Sequence, residues 1–258
     1  MSISALILTK NEEDMISDCI KQLDFVNEIL ILDQKSTDNT TEIAKSLGVK
    51  VLKSQKNRFD IDRNILKEKS SSDWLLYIDA DERLSRETIS EIKQLVNHRK
   101  SSAFYFPRQN YILGKWLKHG GWWPDYVPRL FKKEDLIGWE GQVHESPIIK
   151  GSFGYTKNPI KHLTARSITR MIDKSIKWAQ IEAELYTDIN HPSVTKFKIV
   201  KAMVREFTKR YIVKLGFLDG LIGFIQAVFQ SLHIAMVLTY LWEIQNNTKV
   251  KIKEAKNV

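Results

Sequence analysis

Short apolar runs alternate, over the first hundred residues, with segments in which apolar residues recur every three or four positions. The short runs predict four buried strands, and the helical spacing predicts a helix after each of them. We expect Asn11 to cap the first helix and Ser85 to cap the fourth. The predicted strands cover residues 3–9, 28–33, 49–52 and 74–78, and the second and third helices cover about 40–47 and 60–69. This order indicates an α/β fold with a mainly parallel sheet that is covered on both faces.

The pattern changes twice after residue 100. Residues 101–162 are dense in aromatic residues, Gly and Pro, and their strands look short and irregular. From residue 163 to residue 258 the pattern is helical, without a repeat or a low-complexity linker. We therefore divide the chain at about residue 162, with a further division of the first part near residue 100.

The last apolar stretch, residues 221–241, is long enough to span a bilayer. Polar residues nevertheless recur at spacings of four and three along it, which places them on one helical face. These residues are Asp219, Gly223, Gln226, Gln230 and His233. A polar stripe disfavours a lone span that lipid surrounds. The pattern favours an amphipathic helix that packs on the domain or lies in a membrane interface.

Composition narrows the class of protein. The 258 residues are 43% hydrophobic and 28% charged, which is ordinary for a soluble globular chain and disfavours disorder. The single cysteine, Cys19, excludes an internal disulfide and fits a reducing compartment. The first ten residues lack a basic region and predict a strand instead of a signal peptide. The net charge of +9 lies largely after residue 150, and no recognised nucleic-acid module accompanies it.

Three of the predicted strands end in polar residues, where an open parallel sheet binds its ligands. Asp79 and Asp81 are the sharpest signal, because two carboxylates one residue apart repel each other unless a cation joins them. A hard divalent ion, shared with a diphosphate, can bind both carboxylates and remove their repulsion. The plainer interpretation is that Asp81 begins a turn.

Asp33, after the second strand, can accept hydrogen bonds from a base or a ribose, or can begin a turn. Arg63 can meet a nucleotide or its phosphates, or lie on a solvated helix face.

These residues belong to an ordered set of motifs. The set comprises Thr9-Lys-Asn11-Glu12, Asp33-x-x-Ser36-Thr-Asp38, Arg63-Asn64, Trp74-x-x-x-x-Asp79-Ala-Asp81-Glu82 and Val143-His144-Glu145. It resembles family 2 glycosyltransferases, and within them the lipopolysaccharide core glucosyltransferase-like branch. The resemblance covers the chain to about residue 162 and extends more weakly to residues 216–220. One departure is Gln34-Lys35, where many members have a small or Gly-containing turn.

The resemblance implies a GT-A fold, a nucleoside-diphosphate sugar as donor, usually linked to UDP, and inversion at the anomeric carbon of a hexosyl group. Residues 1–162 would form the catalytic domain, with its nucleotide-sugar half at about 1–100 and its acceptor half at about 101–162. Residues 163–258 would be a helical extension. By the match, the nucleotide pocket holds Thr9, Asn11, Glu12, Asp33 and Arg63, and Asp79 and Asp81 lie at the donor phosphate and a Mn²⁺ or Mg²⁺ site.

Inversion needs a carboxylate near the acceptor hydroxyl, outside the metal pair. Glu145 and Asp125 are the candidates, and we favour Glu145 because its segment matches the acceptor-side motif of the family. His144 is a further candidate metal ligand, or orients Glu145, or is a structural histidine. Trp122 and Trp123 offer either a platform for the acceptor sugar or ordinary core packing.

Basic residues recur at helical spacing in two segments of the extension. They are Arg166, Arg170, Lys174 and Lys177, and then Lys198, Lys201 and Arg205. With the apolar helix they predict a cytoplasmic enzyme, peripheral on the inner face of the cell membrane, that acts on a glycan or lipid-linked acceptor in cell-envelope polysaccharide synthesis. Homo-oligomerisation is left open. Two other interpretations stand beside this one: a sugar nucleotidyltransferase and a non-catalytic, membrane-peripheral nucleotide-binding protein.

Overall fold

The computed structural model describes residues 1–56, 58–98, 101–141, 145–189 and 191–255. The chain divides into two compact units. The first unit comprises Met1–Gln109 and Pro124–Leu163, and the second comprises Asn110–Trp123 and Thr164–Val258. Residues 110–123, which the sequence analysis grouped with the acceptor half, therefore cluster with the C-terminal helices.

Up to residue 112 the chain alternates strands and helices as the hydrophobic pattern indicates. The elements are β1 (Ile3–Thr9), α1 (Glu13–Lys21), β2 (Glu28–Asp33), α2 (Thr40–Ser46), β3 (Lys50–Lys53), α3 (Phe59–Lys69), β4 (Trp74–Tyr77), β5 (Glu82–Leu84), α4 (Arg86–His98) and β6 (Ala103–Ile112). The strands that follow are β7 (Lys115–Trp116), β8 (Asp125–Lys132), β9 (Leu136–Glu140), β10 (Ser146–Ile149), β11 (Phe153–Tyr155) and β12 (Ile160–Ala165).

The strands of the main sheet follow the order β3-β2-β1-β4-β8-β6-β12-β5. The four strands predicted from the sequence, β1 to β4, all form and pair in parallel. β8 pairs antiparallel with both β4 and β6, so the later strands make the complete sheet mixed. The α/β prediction is confirmed, with the parallel pairing concentrated in the first hundred residues.

Successive residues of β1 face opposite sides of the sheet, as the pleat requires. Ile3, Ala5 and Ile7 pack with α1, α2 and α4 in one apolar cluster. Leu6 and Leu8 pack on the other side, with α3 and β9. This two-sided burial explains why β1 reads as a continuous apolar run.

Two local predictions were wrong or incomplete. Asn11 does not cap α1, because the helix begins one residue later, with Glu12 at the cap position. Asn11 instead adopts a positive φ of 55°. The short strand β5 was not predicted, because its three residues carry no periodic signal. It follows Asp81 directly and pairs antiparallel with β12.

The second unit contains three long helices, α5 (Ile168–Asp188), α6 (Lys196–Thr208) and α7 (Gly220–Ala255). Between α6 and α7 lie a π-helical turn, Lys209–Val213, and a 3₁₀ turn, Gly216–Asp219. α7 packs against both α5 and α6. Of its predicted polar stripe, Asp219 and Gln226 are buried, and His233 lies 3.3 Å from Glu182 of α5. By length and composition alone, residues Gly216–Asn247 also qualify as a membrane span.

Candidate active site

The carboxyl ends of β1 and β2 lie side by side at one edge of the sheet. Thr9, the last residue of β1, is in register with Asp33, the last residue of β2. Both are buried, and the Thr9 hydroxyl has no hydrogen-bond partner among the described residues. Because a buried hydroxyl without a partner costs free energy, this edge carries a polar atom that a ligand can satisfy.

Asp33 organises the loop that follows β2. One of its carboxylate oxygens accepts a hydrogen bond from the Ser36 hydroxyl at 2.5 Å, and the other accepts one from the Ser36 backbone N–H at 3.0 Å. Asp33 therefore begins a turn, which was the plainer of its two interpretations. A carboxylate has about four acceptor sites, so the turn leaves acceptor capacity for a ligand.

Hydrogen bonds tie the loop after β1 to the loop after β2. The side-chain oxygen of Asn11 accepts a bond from the backbone N–H of Thr37 at 2.8 Å, and the Asn11 N–H donates to the Ser36 hydroxyl at 2.9 Å. The N–H of Glu12 donates to the Thr40 hydroxyl at 2.8 Å. Asn11 and Glu12 thus lie at the predicted edge, where they shape the two loops together.

The structure explains how Gln34-Lys35 replaces the small or Gly-containing turn that many family members have at this position. Lys35 adopts a φ of 62°, a left-handed conformation that glycine takes without steric cost. Gln34 is buried and donates to Asp62 at 2.8 Å, and the Ser54 hydroxyl also donates to Asp62 at 2.8 Å. Sequence reasoning missed Asp62, because one acidic residue on a helix carries no signal of burial.

Arg63 projects from α3 onto two aromatic rings. Its guanidinium carbon lies 4.6 Å from the ring centre of Trp139 and 5.3 Å from that of Tyr77. Its Nε donates to Glu145 at 3.2 Å, and its Nη2 lies 3.9 Å from a carboxylate oxygen of Asp79. Arg63 therefore brings the favoured base candidate close to the first aspartate of the Asp79-Ala-Asp81 motif.

Asp79 forms an ion pair with Arg129, which projects from β8. Arg129 also donates to Glu82 at 2.7 Å, and the other oxygen of Glu82 accepts a bond from the Asp79 N–H at 3.0 Å. Arg129 and Glu82 are both buried, where charged groups need partners. Glu82 received no role in the sequence analysis, although it stands in the quoted motif.

The surrounding charges shift the ionisation of Asp79 and Arg129. Burial opposes the charged form of Asp79, but the guanidinium charges of Arg129 and then Arg63 outweigh it and hold the pKa of Asp79 far below its usual range. Burial likewise opposes the charge on Arg129, and the carboxylates of Asp79 and Glu82 overcome it and raise the pKa of Arg129. Both groups therefore stay charged at neutral pH.

Asp125, the second base candidate, is held by Arg108. Nη2 and Nε of Arg108 donate to one carboxylate oxygen of Asp125 at 2.7 and 2.9 Å, and Arg108 also lies 3.9 Å from Glu82. The two base candidates thus lie at opposite ends of one series of alternating charges, which we call the carboxylate–arginine network. Its members, in order, are Glu145, Arg63, Asp79, Arg129, Glu82, Arg108 and Asp125.

Asp81 faces a histidine that sequence reasoning missed. Nε2 of His162 lies 3.3 Å from a carboxylate oxygen of Asp81, because β12 pairs with β5 in a register that sets His162 opposite Glu82. The histidine that was predicted as a metal ligand, His144, lies outside the described residues. Among the residues that the structure describes, no three His, Cys, Asp or Glu side chains group closely enough to hold a metal by themselves.

Trp122 and Trp123 belong to the second unit. Trp122 packs against an apolar cluster that includes Ile112 and Met171, and the Arg210 guanidinium lies 5.5 Å from the centre of its ring. Trp123 contacts Trp116 edge to face, with ring centres 5.4 Å apart. For Trp122 these contacts support the core-packing interpretation.

The model of the family described as Glycosyl transferase family 2 matches residues 4–163, which contain every residue of the carboxylate–arginine network. The chain belongs to glycosyl transferase family 2. It is an enzyme with the GT-A fold, and this assignment decides against the nucleotidyltransferase and the non-catalytic interpretations.

Relatives of this family 2 glycosyltransferase come from several bacteria. An uncharacterised glycosyltransferase of Rickettsia conorii is 24% identical over 96% of the chain and 92% of its own length. The glycosyltransferase SunS of Bacillus subtilis is 30% identical over 57% of the chain and 35% of its own length. Among solved structures, Staphylococcus aureus TarS 1–349 is similar with a TM-score of 0.46 and 14% identity, over 96% of this chain and 92% of that one.

Proposed function

We propose that this glycosyltransferase transfers a sugar from a nucleoside-diphosphate sugar, with UDP as the carrier, to a glycan or lipid-linked glycan, with inversion at the anomeric carbon. One observation carries the proposal. β1, β2 and β4 are neighbouring parallel strands, so Thr9, Asp33 and Asp79 follow or end strands at the same edge of the sheet. Ligands bind at this edge in open α/β sheets.

The donor would lie across the ends of β1 and β2. The Thr9 hydroxyl and the Asp33 carboxylate supply a donor and an acceptor for the nucleoside, and the loop carrying Asn11 and Glu12 would border it. Arg63 can neutralise the diphosphate, because a guanidinium matches the geometry of phosphate oxygens. Its contacts with Tyr77 and Trp139 hold the side chain in place before the donor arrives.

A divalent ion fits the donor set of Asp81 and His162. Mg²⁺ and similar ions are commonly held by one or two protein ligands together with substrate phosphates, so a larger cluster is not required. A carboxylate oxygen and an imidazole nitrogen 3.3 Å apart are suitable ligands for Mn²⁺. The ion would offset charge on the departing diphosphate. Asp79, the other predicted metal ligand, is paired with Arg129 and lies 3.9 Å from Arg63. We assign it instead to keeping these two arginines in position.

Glu145 is the better candidate for the base. A base must accept a proton from the acceptor hydroxyl as the new bond forms. Asp125 receives two short hydrogen bonds from Arg108 on a single oxygen, which hold its carboxylate in place. Glu145 receives a longer one, at 3.2 Å from Arg63. The Glu145 carboxylate is therefore held less tightly than that of Asp125 and can turn more readily toward an acceptor hydroxyl.

The acceptor would be a lipid-linked or glycan intermediate of cell-envelope polysaccharide synthesis, met at the inner face of the cell membrane. The basic segments of α5 and α6 support this location, since exposed Lys and Arg are attracted to anionic lipid. The enzyme would then be cytoplasmic and peripheral, with the lipopolysaccharide core as the acceptor class that the sequence motifs favour.

The experiment is a hydrolysis and transfer assay on a panel of nucleotide sugars, each with Mn²⁺, Mg²⁺ or a chelator. We expect release of UDP from at least one UDP-sugar, dependent on the divalent ion. An Asp24→Asn variant, changed at an exposed carboxylate of the first unit, serves as the matched control for Asp81→Asn. Turnover that is equal with chelator, or equal in Asp81→Asn, would contradict the metal site.

A further inference from the structure

The connection between α6 and α7 exposes an unusual run of apolar side chains. α6 and α7 are antiparallel, since Phe207 of α6 packs on Phe224 near the start of α7, and the Ser231 hydroxyl bonds to Met203 further back. Their connection is therefore the tip of a helical hairpin. Five large apolar side chains of this connection are exposed, as is Leu221 in the first turn of α7. We call the six the apolar tip: Ile212, Val213, Leu215, Phe217, Leu218 and Leu221.

The tip is an ordered structure with internal packing. Tyr211 contacts the rings of Phe207, Phe217 and Phe224, with centres 5.3 to 6.2 Å apart. Gly223 lies so close to Gly216 that a Cβ on Gly223 would collide with the Gly216 carbonyl oxygen. Glycine at these positions lets the chain turn tightly while the apolar side chains point outward.

α7 exposes further apolar side chains along its length. Its exposed side chains Leu221, Phe224, Leu232 and Trp242 follow helical spacing on one face. Its buried residues include polar Gln226 and Ser231 beside apolar Ala227, Val237, Leu238 and Leu241. Residues 221–242 contain no Asp, Glu, Lys or Arg. A surface helix of a soluble protein normally turns polar and charged residues outward, whereas this helix exposes several large apolar side chains.

Positive charge accompanies this surface. Residues 195–218 contain seven basic residues and one acidic residue, Glu206, which pairs with Arg210 at 2.7 Å. Exposed apolar side chains beside excess Lys and Arg match the chemistry of an anionic lipid surface. In a two-fold dimer through the same face, each copy would bring an identical positive segment to the interface, which is unfavourable.

We propose that the apolar tip and the exposed face of α7 insert into the headgroup boundary of an anionic phospholipid bilayer. This deepens the proposed function, on whose membrane location it rests, by naming the surface that makes contact. The lysines of α6 attract the enzyme to the bilayer, and the apolar side chains hold it there. The protein binds one leaflet and does not cross it, because the buried side of α7 is already packed on α5 and α6.

The test is flotation of the full chain with vesicles of phosphatidylcholine alone or with about one-third phosphatidylglycerol. Val213→Ser/Leu221→Ser should weaken binding roughly tenfold or more, since it removes two inserting side chains. The control is Ile189→Ser/Tyr155→Ser. Ile189 and Tyr155 are 70% and 64% exposed, which matches the 71% exposure of both Val213 and Leu221. The affinity of this control for anionic vesicles should stay within about twofold of that of the natural chain, as expected for neutral surface changes. Lys201→Gln/Lys209→Gln should lower the affinity for anionic vesicles by about fivefold for each charge removed, and should leave binding to phosphatidylcholine vesicles unchanged.

Each outcome decides between named alternatives. Equal loss in the tip and control variants, or no binding to anionic vesicles, overturns the proposal. A dimer that the tip variant dissociates, without vesicle binding, reassigns the face to a second copy. Binding that survives carbonate extraction identifies a true span. Hydrolysis of the nucleotide sugar, measured without vesicles, should be unchanged in the tip variant, so a failed membrane surface is distinguishable from a failed donor site.

Discussion

The two units depart from ordinary burial in opposite ways. The first unit buries charge: Asp62, Glu82 and Arg129 all lie inside it, each with at least one polar partner. The second unit exposes apolar surface: Val213 and Leu221 are each about 71% accessible. Soluble domains usually do neither on this scale.

Each departure indicates the kind of partner that the unit can accommodate. Buried charge costs free energy unless it is paired, so the paired carboxylates and arginines of the first unit can remain charged inside it. Under the proposed function this charged site would receive an anionic donor. Exposed apolar surface costs free energy unless a partner covers it, so the second unit is suited to a nonaqueous surface.

Glu145→Gln should reduce transfer by roughly 10²- to 10⁴-fold, the usual contribution of a general base. Affinity for the donor should remain near that of the unaltered enzyme, because the base acts on the acceptor. Single-turnover transfer and donor titration measure the two effects separately. Asp125→Asn is the matched comparison, and the reverse pattern, with Asp125→Asn inactive and Glu145→Gln active, would transfer the role to Asp125.

Arg129→Met should lower the free energy of unfolding by about 3–5 kcal/mol, because it leaves the buried Glu82 carboxylate without its guanidinium. For a chain of this size the melting temperature should fall by roughly 10 °C. The control is Arg86→Met at an exposed position, expected to change stability by about 0.5 kcal/mol or less. Glu82→Gln added to Arg129→Met should recover part of the loss. Additive losses would show that the two residues do not act as a pair.

The depressed pKa of Asp79 predicts a pH-dependent contribution to stability. A carboxyl whose folded-state pKa is lowered stabilises the fold fully above its unfolded pKa of about 3.9, and the contribution is lost as pH falls through the folded-state value. The difference in unfolding free energy between the natural chain and Asp79→Asn should therefore be constant near neutral pH and shrink below about pH 4. Denaturant titrations at several pH values measure it, and a difference that grows in acid would contradict the pairing with Arg129.

Thr9→Val should have the smallest effect. It should stabilise the free protein but weaken its binding of UDP. Removing an unpartnered buried hydroxyl should raise stability by about 1 kcal/mol. Losing a hydrogen bond to the nucleotide should weaken UDP binding by roughly five- to tenfold. Thermal unfolding and UDP titration check the two signs. Unchanged UDP affinity would remove Thr9 from the nucleotide site.

The residues at the carboxyl-end edge of β1, β2 and β4 were largely predictable, because the sequence pattern that identifies them is local. The apolar runs of β1, β2 and β4 end directly in Thr9, Asp33 and Asp79, so the sequence itself states which residues reach the edge. The fold class followed from the same alternation of strands and helices.

The rest depended on contacts between distant segments. His162 meets Asp81 only through the pairing of β12 with the unpredicted β5, and Arg129 reaches Glu82 through the antiparallel placement of β8 beside β4. In the second unit, periodicity identified the polar stripe of α7, but only packing shows that Gln226 faces inward. Register and packing of this kind have no local signature.

Calorimetric titration of UDP with and without Mn²⁺ shows whether the strand edge and the Asp81–His162 pair together bind a nucleoside diphosphate with a divalent ion. The natural chain should bind UDP at least about tenfold more tightly with the ion, and His162→Ala and Asp81→Asn should each lose most of that gain while binding UDP alone as before. A gain of the same size in both variants, or no gain in the natural chain, would contradict the claim.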